Sequence, residues 1–259
     1  MKFVFLGAGN IAKLFLEKQQ REFGGALELV GIVAPENILG FYRGQDGFLS
    51  RVAFLPLNFV NRQEAALQEL LKAVKPDFVL SVQYPWILSP KVLDLVRGRV
   101  LNLHNAKLPQ YRGHNTISHE ILNRELVHTS TLHWIAEEVD RGRIVLTRDI
   151  AIVPDDTAFS LWRRSVDSAI ALLAQFLNHC ETIVNEQGGQ PVDSGGFYYS
   201  KTDIQALKNI PNNASLDDID RIARAFWFPP HEPAYFLKGN RRLYVLPGAY
   251  EYSPKMSDL

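Results

Sequence analysis

The chain has 259 residues, 46% hydrophobic and 22% charged, an ordinary composition for a globular protein with a sizeable core. Its 28 Lys and Arg side chains are matched by 28 Asp and Glu side chains, so charge gives no reason to expect a nucleic-acid or membrane partner. The single cysteine, Cys180, excludes an internal disulfide and favours a reducing compartment. No run reaches the roughly 18 apolar residues of a membrane span, and we expect a cytoplasmic protein.

Short apolar runs alternate with helical patterns in the first part of the chain. Strands are predicted at residues 2–6, 27–34, 76–83 and 99–104, and helices at 11–23, 62–74 and 89–96. Ser89 is the expected N-cap of the last of these helices, with Pro90 in its first turn, and residues 36–50 are predicted to be a loop. The alternation indicates an α/β protein with a Rossmann-like, largely parallel sheet covered by helices on both faces.

The second part of the chain continues with a helix at 115–126, strands at 129–136 and 144–153, and a long helix from about 155 to 184. The Gly-rich segment 185–196 is interpreted as a linker. It divides the chain into a catalytic domain, 1–185, and a small C-terminal α+β subdomain, 186–259. The subdomain contains a predicted helix at 216–226 and two strands, 234–239 and 241–247, and is expected to pack on the main domain because it is too small for a core of its own.

The segment GAGNIA, residues 7–12, lies between the first strand and the first helix. It matches the glycine pattern of dinucleotide-binding turns, in which glycines let a phosphate approach a helix N-terminus. The acidic residue expected after the second strand is represented only by Glu36, which comes later than usual. Three interpretations stay open: a tight turn, a phosphate or sugar contact that includes Asn10, and an NAD site.

The stretch LNLHNAKLPQYRG, residues 101–113, places Asn102 and His104 at the end of an apolar strand. Residues two apart in a strand point to the same side, so both can converge on one carbonyl group. A histidine can exchange protons near neutral pH, and an amide can donate to an oxyanion. The alternative is that two polar side chains merely end a strand. Asp140, in a turn ahead of Gly142, is by itself more typical of a solvated loop carboxylate.

Taken together, the Asn-x-His pair, the segment LPQYRG and the Asp-x-Gly turn resemble the 10-formyltetrahydrofolate-dependent formyltransferase family. The resemblance runs over most of residues 1–185, including IVPDDTAFSLWRR, and implies that Asn102, His104 and Asp140 form the catalytic trio. Many members of the family read HPSLLP where residues 104–109 read HNAKLP. This departure leaves the trio intact and is closer to the branch that modifies sugars.

The resemblance also implies a pocket for N10-formyltetrahydrofolate as co-substrate, without a metal ion. The pterin would lie against the loops at 83–88 and 135–140. The residues implied to bind it are Gln83, Tyr84, Trp86, Ile87, Leu88, Glu137, Glu138, Val139 and Asp140. The first of these loops offers apolar and aromatic surface that suits a flat heterocycle, although Trp86 would also fit a place in the core.

Three branches of the family differ in the acceptor of the formyl group. Transfer-RNA formyltransferases carry a larger basic C-terminal domain, and glycinamide ribonucleotide formyltransferases generally lack a tail of this kind. The neutral chain and its short tail therefore favour a nucleotide-linked amino-dideoxy sugar, such as a dTDP-linked 3- or 4-amino-dideoxyhexose, used for surface polysaccharide and O-antigen in lipopolysaccharide. Candidate acceptor contacts are Asn10, Lys107, Tyr111, Arg112, Gly113, Trp227 and Phe228.

Several alternatives remain from the sequence. The aromatic residues of RAFWFPPHEPAYF, 224–236, would equally suit domain packing or a dimer interface. A methionyl-tRNA formyltransferase, a formyltetrahydrofolate hydrolase that delivers formyl to water, a non-catalytic binding relative and an NAD-dependent dehydrogenase are the other functions considered. From the resemblance we expect a homodimer, with no nucleic-acid or membrane partner.

Overall fold

The computed structural model describes residues 1–19, 27–43 and 52–248. Its strands are β1 (Lys2–Gly7), β2 (Glu28–Ala34), β3 (Ala53–Pro56), β4 (Phe78–Val82), β5 (Val100–His104), β6 (Tyr111–Gly113), β7 (Val127–Trp134), β8 (Ile144–Ala151), β9 (Phe197–Tyr199), β10 (Tyr235–Lys238) and β11 (Arg241–Tyr244). Seven strands form one sheet in the order β3-β2-β1-β4-β5-β7-β8. The pairs from β3 to β5 are parallel and β5 pairs with β7 in antiparallel orientation, which confirms the predicted largely parallel sheet.

The helices are α1 (Gly9–Gln19), α2 (Glu36–Arg43), α3 (Glu64–Val74), α4 (Pro90–Leu95), α5 (Thr116–Leu122), α6 (Ala158–Glu186), α7 (Asp203–Ala206) and α8 (Leu216–Ala225). The predicted helices are present, with bounds that differ by a few residues; residues 20–23 of the first lie outside the described residues. None of the helices that the structure describes is long and apolar enough to cross a membrane.

The predicted loop at 36–50 is wrong over its first half, where the structure has α2. Gly40 and the shortness of the segment give a weak helical signal, because glycine is a poor helix former. Ile38 and Leu39 are fully buried, so tertiary packing stabilises the helix where propensity does not. Strand β3 was also not predicted, and residues 44–51 lie outside the described residues.

Both faces of the sheet are covered. Alternate residues of β1 point to opposite faces, and the buried residues on each face are apolar. Val4 and Leu6 belong to a buried cluster that includes residues of α3 and α4. On the other face the ring of Phe3 stacks on Phe78 of β4, with centroids 5.3 Å apart, and Phe78 meets Phe176 of α6 edge-on at 5.8 Å. Continuous apolar strands are what a sheet buried on both faces requires.

The chain divides into two compact units, and neither is one continuous stretch. The first contains residues 1–112, 129–149 and 166–197, and the second contains 113–128, 150–165 and 198–259. These units differ from the sequence division at residue 185, because the C-terminal part shares a core with two earlier segments. That core includes Ile121, Leu161 and Phe226. The predicted terminal hairpin is present as β10 and β11.

Candidate active site

Three polar side chains lie in one row across the otherwise apolar centre of the large sheet. In the strand register, Asn102 on β5 is paired with Ser81 on β4 and with His133 on β7. Paired residues on neighbouring strands point to the same face, so these side chains meet there. His104 shares that face because it lies two residues after Asn102. Ser81 and His133 are buried, and Asn102 is half-buried.

The side-chain amide of Asn102 is held at both ends. Its Oδ1 accepts a hydrogen bond from Ser81 Oγ at 2.9 Å, and its Nδ2 lies 3.2 Å from Nε2 of His133. The other ring nitrogen of His133, Nδ1, lies 2.8 Å from the carbonyl oxygen of Trp134 and donates to it, because a carbonyl only accepts. In the neutral imidazole, Nε2 is then the acceptor, and Asn102 donates to it.

His133 is held in this neutral form by its surroundings. Burial lowers the pKa of His133 to about 4, assisted by the neighbouring His104, and the Asp140 carboxylate and the bond to Trp134 only partly oppose the shift. The ring is therefore unprotonated at neutral pH, and its Nε2 lone pair faces the Asn102 amide.

His104 and Asp140 meet at the end of β5. His104 Nε2 lies 2.6 Å from the carbonyl oxygen of Tyr111 and donates to it, which leaves Nδ1 facing Asp140 Oδ2 at 3.7 Å. The other carboxylate oxygen, Oδ1, is 3.6 Å from Nε2 of His133. The His104 and Asp140 side chains are only 11% and 10% exposed. The fold thus brings the three predicted residues together, with His133 as a fourth member.

Local backbone geometry places Asp140 between the two imidazole rings. Asp140 lies in the loop between β7 and β8 and has a left-handed φ of 54°. The rings of His104 and His133 are nearly perpendicular, at 82°, with centroids 6.5 Å apart. One carboxylate therefore faces both rings through its two oxygens, and it can stabilise a proton taken up by His104.

The loop after β5 is fastened to β7 by hydroxyl groups. Ser130 Oγ donates to Asn105 Oδ1 at 2.7 Å, and Thr131 Oγ1 donates to the carbonyl of Ala106 at 2.8 Å. Further along, the N–H of Tyr111 donates to the carbonyl of Lys107 at 2.8 Å. These bonds hold the loop that ends at Tyr111, whose carbonyl accepts from the His104 ring.

A family model described as formyl transferase matches residues 1–177. This chain belongs to the formyl transferase family. The match includes the strand of Asn102 and His104 and the loop of Asp140, and it confirms the prediction of a formyltransferase enzyme. Residues 178–259 lie outside the part of the chain that the family model matches.

The formyltransferase is similar to proteins of more than one specificity. GDP-perosamine N-formyltransferase of Brucella melitensis biotype 1 is 31% identical over 187 residues, 70% of this chain and 68% of that protein. Methionyl-tRNA formyltransferase of Thermotoga maritima is 30% identical over 192 residues, 70% of this chain and 59% of that protein. The solved N-formyltransferase from Helicobacter canadensis, in complex with folinic acid and dTDP-3-aminofucose, has a TM-score of 0.66 at 22% identity. That alignment covers 88% of this chain and 81% of the other, and it shows a shared fold.

The predicted folate loop of the formyltransferase divides into core and surface residues. Leu88 is buried in the apolar cluster, and Tyr84 packs against that cluster, where burial raises its pKa. The Trp86 indole donates to the carbonyl of Asn58 at 3.1 Å, and Ile87 is exposed. Their predicted contact with folate stays a prediction.

The side chain of Gln83 lies at the glycine turn of residues 7–12, for which the sequence allowed three interpretations. Its Oε1 accepts from the backbone N–H of Ile11, in the first turn of α1, at 3.0 Å. A Cβ on Gly9, whose φ is 71°, would lie 2.9 Å from that oxygen. A dinucleotide phosphate would need the same end of the helix, so this bond weighs against the dehydrogenase alternative. Asn10 is exposed in this turn, and its predicted acceptor contact stays a prediction.

The loop of Asp140 carries the remaining predicted folate residues. Glu137 and Glu138 are exposed and Val139 is half-buried. Glu138 Oε1 accepts hydrogen bonds from Nη1 of Arg112 at 3.3 Å and from Nε of Arg141 at 3.0 Å. The Arg112 side chain is 11% exposed, so a nearly buried cation lies beside the loop that holds His104. Lys107, in the same loop, is exposed.

The other predicted acceptor contacts lie in the second compact unit. The ring of Phe228 meets Phe159 and Trp162 edge-on, at centroid distances of 5.5 and 5.4 Å, and the carbonyl of Trp227 accepts from the N–H of Phe159. These are packing contacts, in line with the alternative that these aromatic residues serve domain packing. The predicted contacts of Trp227, Phe228 and Gly113 with an acceptor stay predictions.

A cavity of about 290 Å³ lies beside the loop between β7 and β8. It is lined by Arg97, Gly98, Trp134, Ile135, Ala136, Arg141, Gly142, Arg143 and Gln187. The lining contains none of the individual residues predicted to bind folate, but Ile135 and Ala136 belong to the predicted folate loop 135–140. Within the three described ranges, no group of three His, Cys, Asp or Glu side chains is arranged to hold a metal ion.

Three residues of the site were not predicted from the sequence: Ser81, His133 and Arg141. Ser81 and His133 interrupt apolar runs that the sequence predicts to be buried strands. A polar side chain at such a position needs a buried partner, and that requirement was the available signal. Arg141 directly follows Asp140, and its role becomes visible only in the structure. Its guanidinium donates to the carbonyls of Asp193, Ser194 and Gly195 and so ties that segment to the loop of Asp140.

Proposed function

We propose that this formyltransferase moves the formyl group of N10-formyltetrahydrofolate to the primary amine of a nucleotide-linked amino-dideoxy sugar. The observation that carries the chemistry is the convergence of Asn102, His104 and Asp140 at the end of β5. The acceptor is supported by the likeness to a GDP-perosamine N-formyltransferase and by the fold shared with an enzyme bound to folinic acid and dTDP-3-aminofucose.

Asn102 supplies the donor for the oxyanion. The amine nitrogen attacks the formyl carbon, and the carbonyl oxygen becomes an oxyanion before the bond from carbon to N10 of the folate breaks. The amide of Asn102 carries two N–H groups, of which one is directed to His133. The second donates to the oxyanion, and a donor fixed in advance costs no reorganisation during the reaction.

His104 and Asp140 together take the proton that the amine loses. Because Nε2 of His104 already donates to Tyr111, the proton acceptor is Nδ1, which faces the Asp140 carboxylate at 3.7 Å. The carboxylate stabilises the imidazolium that forms, and N10 of the folate gains a proton as it leaves. Amine and folate therefore exchange one formyl group for one proton.

The acceptor diphosphate would find cations beside the trio. Arg112 is nearly buried next to Tyr111, and Lys107 is exposed in the same loop. A guanidinium in a fixed position suits a phosphate group. The equal numbers of acidic and basic residues favour a small acceptor over transfer RNA, whose binding depends on many phosphate contacts. We propose that the product is used in surface-polysaccharide synthesis. We also propose that the enzyme is a cytoplasmic homodimer.

The test is a transfer assay with 10-formyltetrahydrofolate and a panel that includes GDP-perosamine, dTDP-3-aminofucose and other nucleotide-linked amino sugars. We expect one panel member to gain the mass of one formyl group. Product from initiator transfer RNA, with none from any sugar, would overturn the acceptor. Formate released at full rate without an amine would instead identify a hydrolase.

A further inference from the structure

The row Ser81–Asn102–His133 contains a device for setting the direction of an amide. An asparagine side chain has a donor end and an acceptor end of almost the same shape, so packing alone does not distinguish its two orientations. Only the end that carries N–H groups can stabilise an oxyanion. A flipped amide would present its oxygen to the developing negative charge and would oppose the reaction.

Hydrogen bonds across the sheet settle the orientation. The hydroxyl of Ser81 donates to Oδ1 of Asn102 at 2.9 Å, which marks the acceptor end of the amide. Nε2 of His133, 3.2 Å from Nδ2, marks the donor end. Nε2 acts as an acceptor because the proton of the neutral ring resides on Nδ1, where it is used by the carbonyl of Trp134.

The sheet makes this arrangement rigid. Ser81, Asn102 and His133 are register partners on three adjacent strands, so their backbones are joined by the ladder of β4, β5 and β7. Ser81 and His133 are almost fully buried, which excludes water as a competing partner. Burial also disfavours the protonated ring, whose Nε2–H would face the Asn102 N–H group.

We propose that His133 and Ser81 are positioning residues that keep the donor end of the Asn102 amide aimed at the reacting carbonyl. His133 acts as the Nδ1–H tautomer and takes up no proton in the reaction. The inference rests on the proposed role of Asn102 as oxyanion donor, and it assigns to two residues outside the trio a measurable share of kcat.

A first experiment needs no substrate. Nitrogen-15 spectra of the histidine side chains, assigned with His133→Gln, report which ring nitrogen of His133 carries the proton. We expect Nδ1–H with an unprotonated Nε2 throughout the neutral range, the tautomer that is less common in free histidine. A ring protonated on Nε2 at neutral pH would overturn the proposal, because that atom could not accept from Asn102.

A second experiment measures kcat and KM with the sugar that the panel identifies, for Ser81→Ala, His133→Gln and His133→Phe. Loss of one such hydrogen bond should lower kcat by about tenfold, with KM for both substrates nearly unchanged. Gln at 133 can still present an acceptor and should retain more activity than Phe. Ser168→Ala, which changes another buried serine, and His179→Gln, on the surface, are matched controls expected to retain wild-type kcat.

The same changes in an Asn102→Ala background separate positioning from other roles. If Ser81 and His133 act through the amide, they should have no further effect on kcat once the amide is absent. Equal losses in both backgrounds, or wild-type kcat in Ser81→Ala and His133→Gln, would overturn the inference. Loss of a limb of the pH profile in His133→Gln would also overturn it, because His133 would then be a proton acceptor.

The proposed function and this inference fail in different ways. Wild-type turnover by Asn102→Ala would remove the oxyanion role itself, and with it the reason for positioning. An inactive Asn102→Ala protein together with fully active Ser81→Ala and His133→Gln proteins would overturn the positioning role alone. Ser81→Ala removes a single buried oxygen, so the comparison stands even if His133→Phe does not fold.

Discussion

The side chain of Gln83 accepts a hydrogen bond from the backbone N–H of Ile11, with 3.0 Å between Oε1 and N. The bond joins the residue after β4 to the first turn of α1. Helix N-termini leave backbone N–H groups without partners inside the helix, and a side-chain oxygen is one way to satisfy them. The glycine turn of this formyltransferase is therefore closed by its own chain, with Gly9 leaving room for the amide.

Replacing Gln83 by Ala is expected to lower the free energy of unfolding by about 1 kcal/mol, because a helix N–H loses its partner. The variant should gain no affinity for NAD. Denaturant unfolding and a fluorescence titration with NADH measure the two effects. Gln205→Ala, at an exposed position of α7, is the control and should leave stability unchanged. Tight NADH binding by the unaltered protein would restore the dehydrogenase alternative.

His104→Asn is expected to lower the turnover of the acceptor by about 10² to 10³, because the change removes the group that takes the amine proton. Formyl transfer followed by mass spectrometry under saturating substrates gives kcat directly. A far-ultraviolet circular dichroism spectrum equal to that of the unaltered protein establishes that the fold is intact. Near-normal turnover in a folded variant would show that His104 has no part in the chemistry.

Stability should fall on acidification through His133. Its pKa is lowered from 6.5 to about 4 in the fold, so between those values the unfolded chain binds the proton and the native chain does not. The stabilising contribution is therefore complete above pH 6.5 and declines as the pH falls toward 4. The difference between a pKa of 6.5 in the unfolded chain and about 4 in the fold corresponds to about 3 kcal/mol of stability.

Urea unfolding at several values between pH 7 and pH 4.5 measures this decline. The His133→Gln protein should show a shallower loss of stability over the same interval, since it lacks the group that titrates only when unfolded. Other groups contribute equally to both proteins, so the difference between the two curves is the informative quantity. Parallel curves would mean that the pKa of His133 is the same in the folded and the unfolded chain.

Arg141→Gln is expected to release the segment 193–195 from the loop of Asp140. The guanidinium donates to the carbonyls of Asp193 at 2.7 Å, Ser194 at 3.1 Å and Gly195 at 3.3 Å, and glutamine cannot reproduce these bonds. Hydrogen exchange of the peptide that contains 188–196 should become faster. A fall in kcat should accompany it, because Asp140 is the preceding residue in the chain.

Arg143→Gln is the matched control for that change. Arg143 lies two residues further along and its side chain is exposed. Exchange of the 188–196 peptide and kcat should both stay at the values of the unaltered protein. Equal effects of the two substitutions would indicate that loss of positive charge, and not the bonds to the three carbonyls, is responsible.

The elements that could be predicted are those with a long or regular pattern. Strands β1, β4 and β5 are continuous apolar runs, and α6 carries an apolar stripe over many turns, so sequence alone locates them. Helix α2 is short and contains Gly40, and it forms because Ile38 and Leu39 are buried on the sheet. Local preference is weak there, and only the packed chain stabilises a helix.

The candidate site shows the same division. Asn102 and His104 could be predicted as partners because they lie two residues apart in one strand, and strand geometry is periodic. Asp140 joined them through a resemblance in motif. Ser81 and His133 become neighbours of Asn102 only through the pairing of β4, β5 and β7. Strand order is a property of the whole chain, and nothing in the local sequence states it.

The sequence by itself determined the class of fold, the family and the residues with the chemistry to transfer a formyl group, because periodicity and motif are local properties. The tertiary structure alone decided which atoms face one another. In the folded chain, Nδ1 of His104 faces Asp140, and the side chain of Gln83 accepts from the helix N-terminus at the Gly9 turn. The neutral His133 ring accepts from the Asn102 amide. Hydrogen-bond direction and burial depend on neighbours distant in the chain, so they appear only when the sheet is assembled.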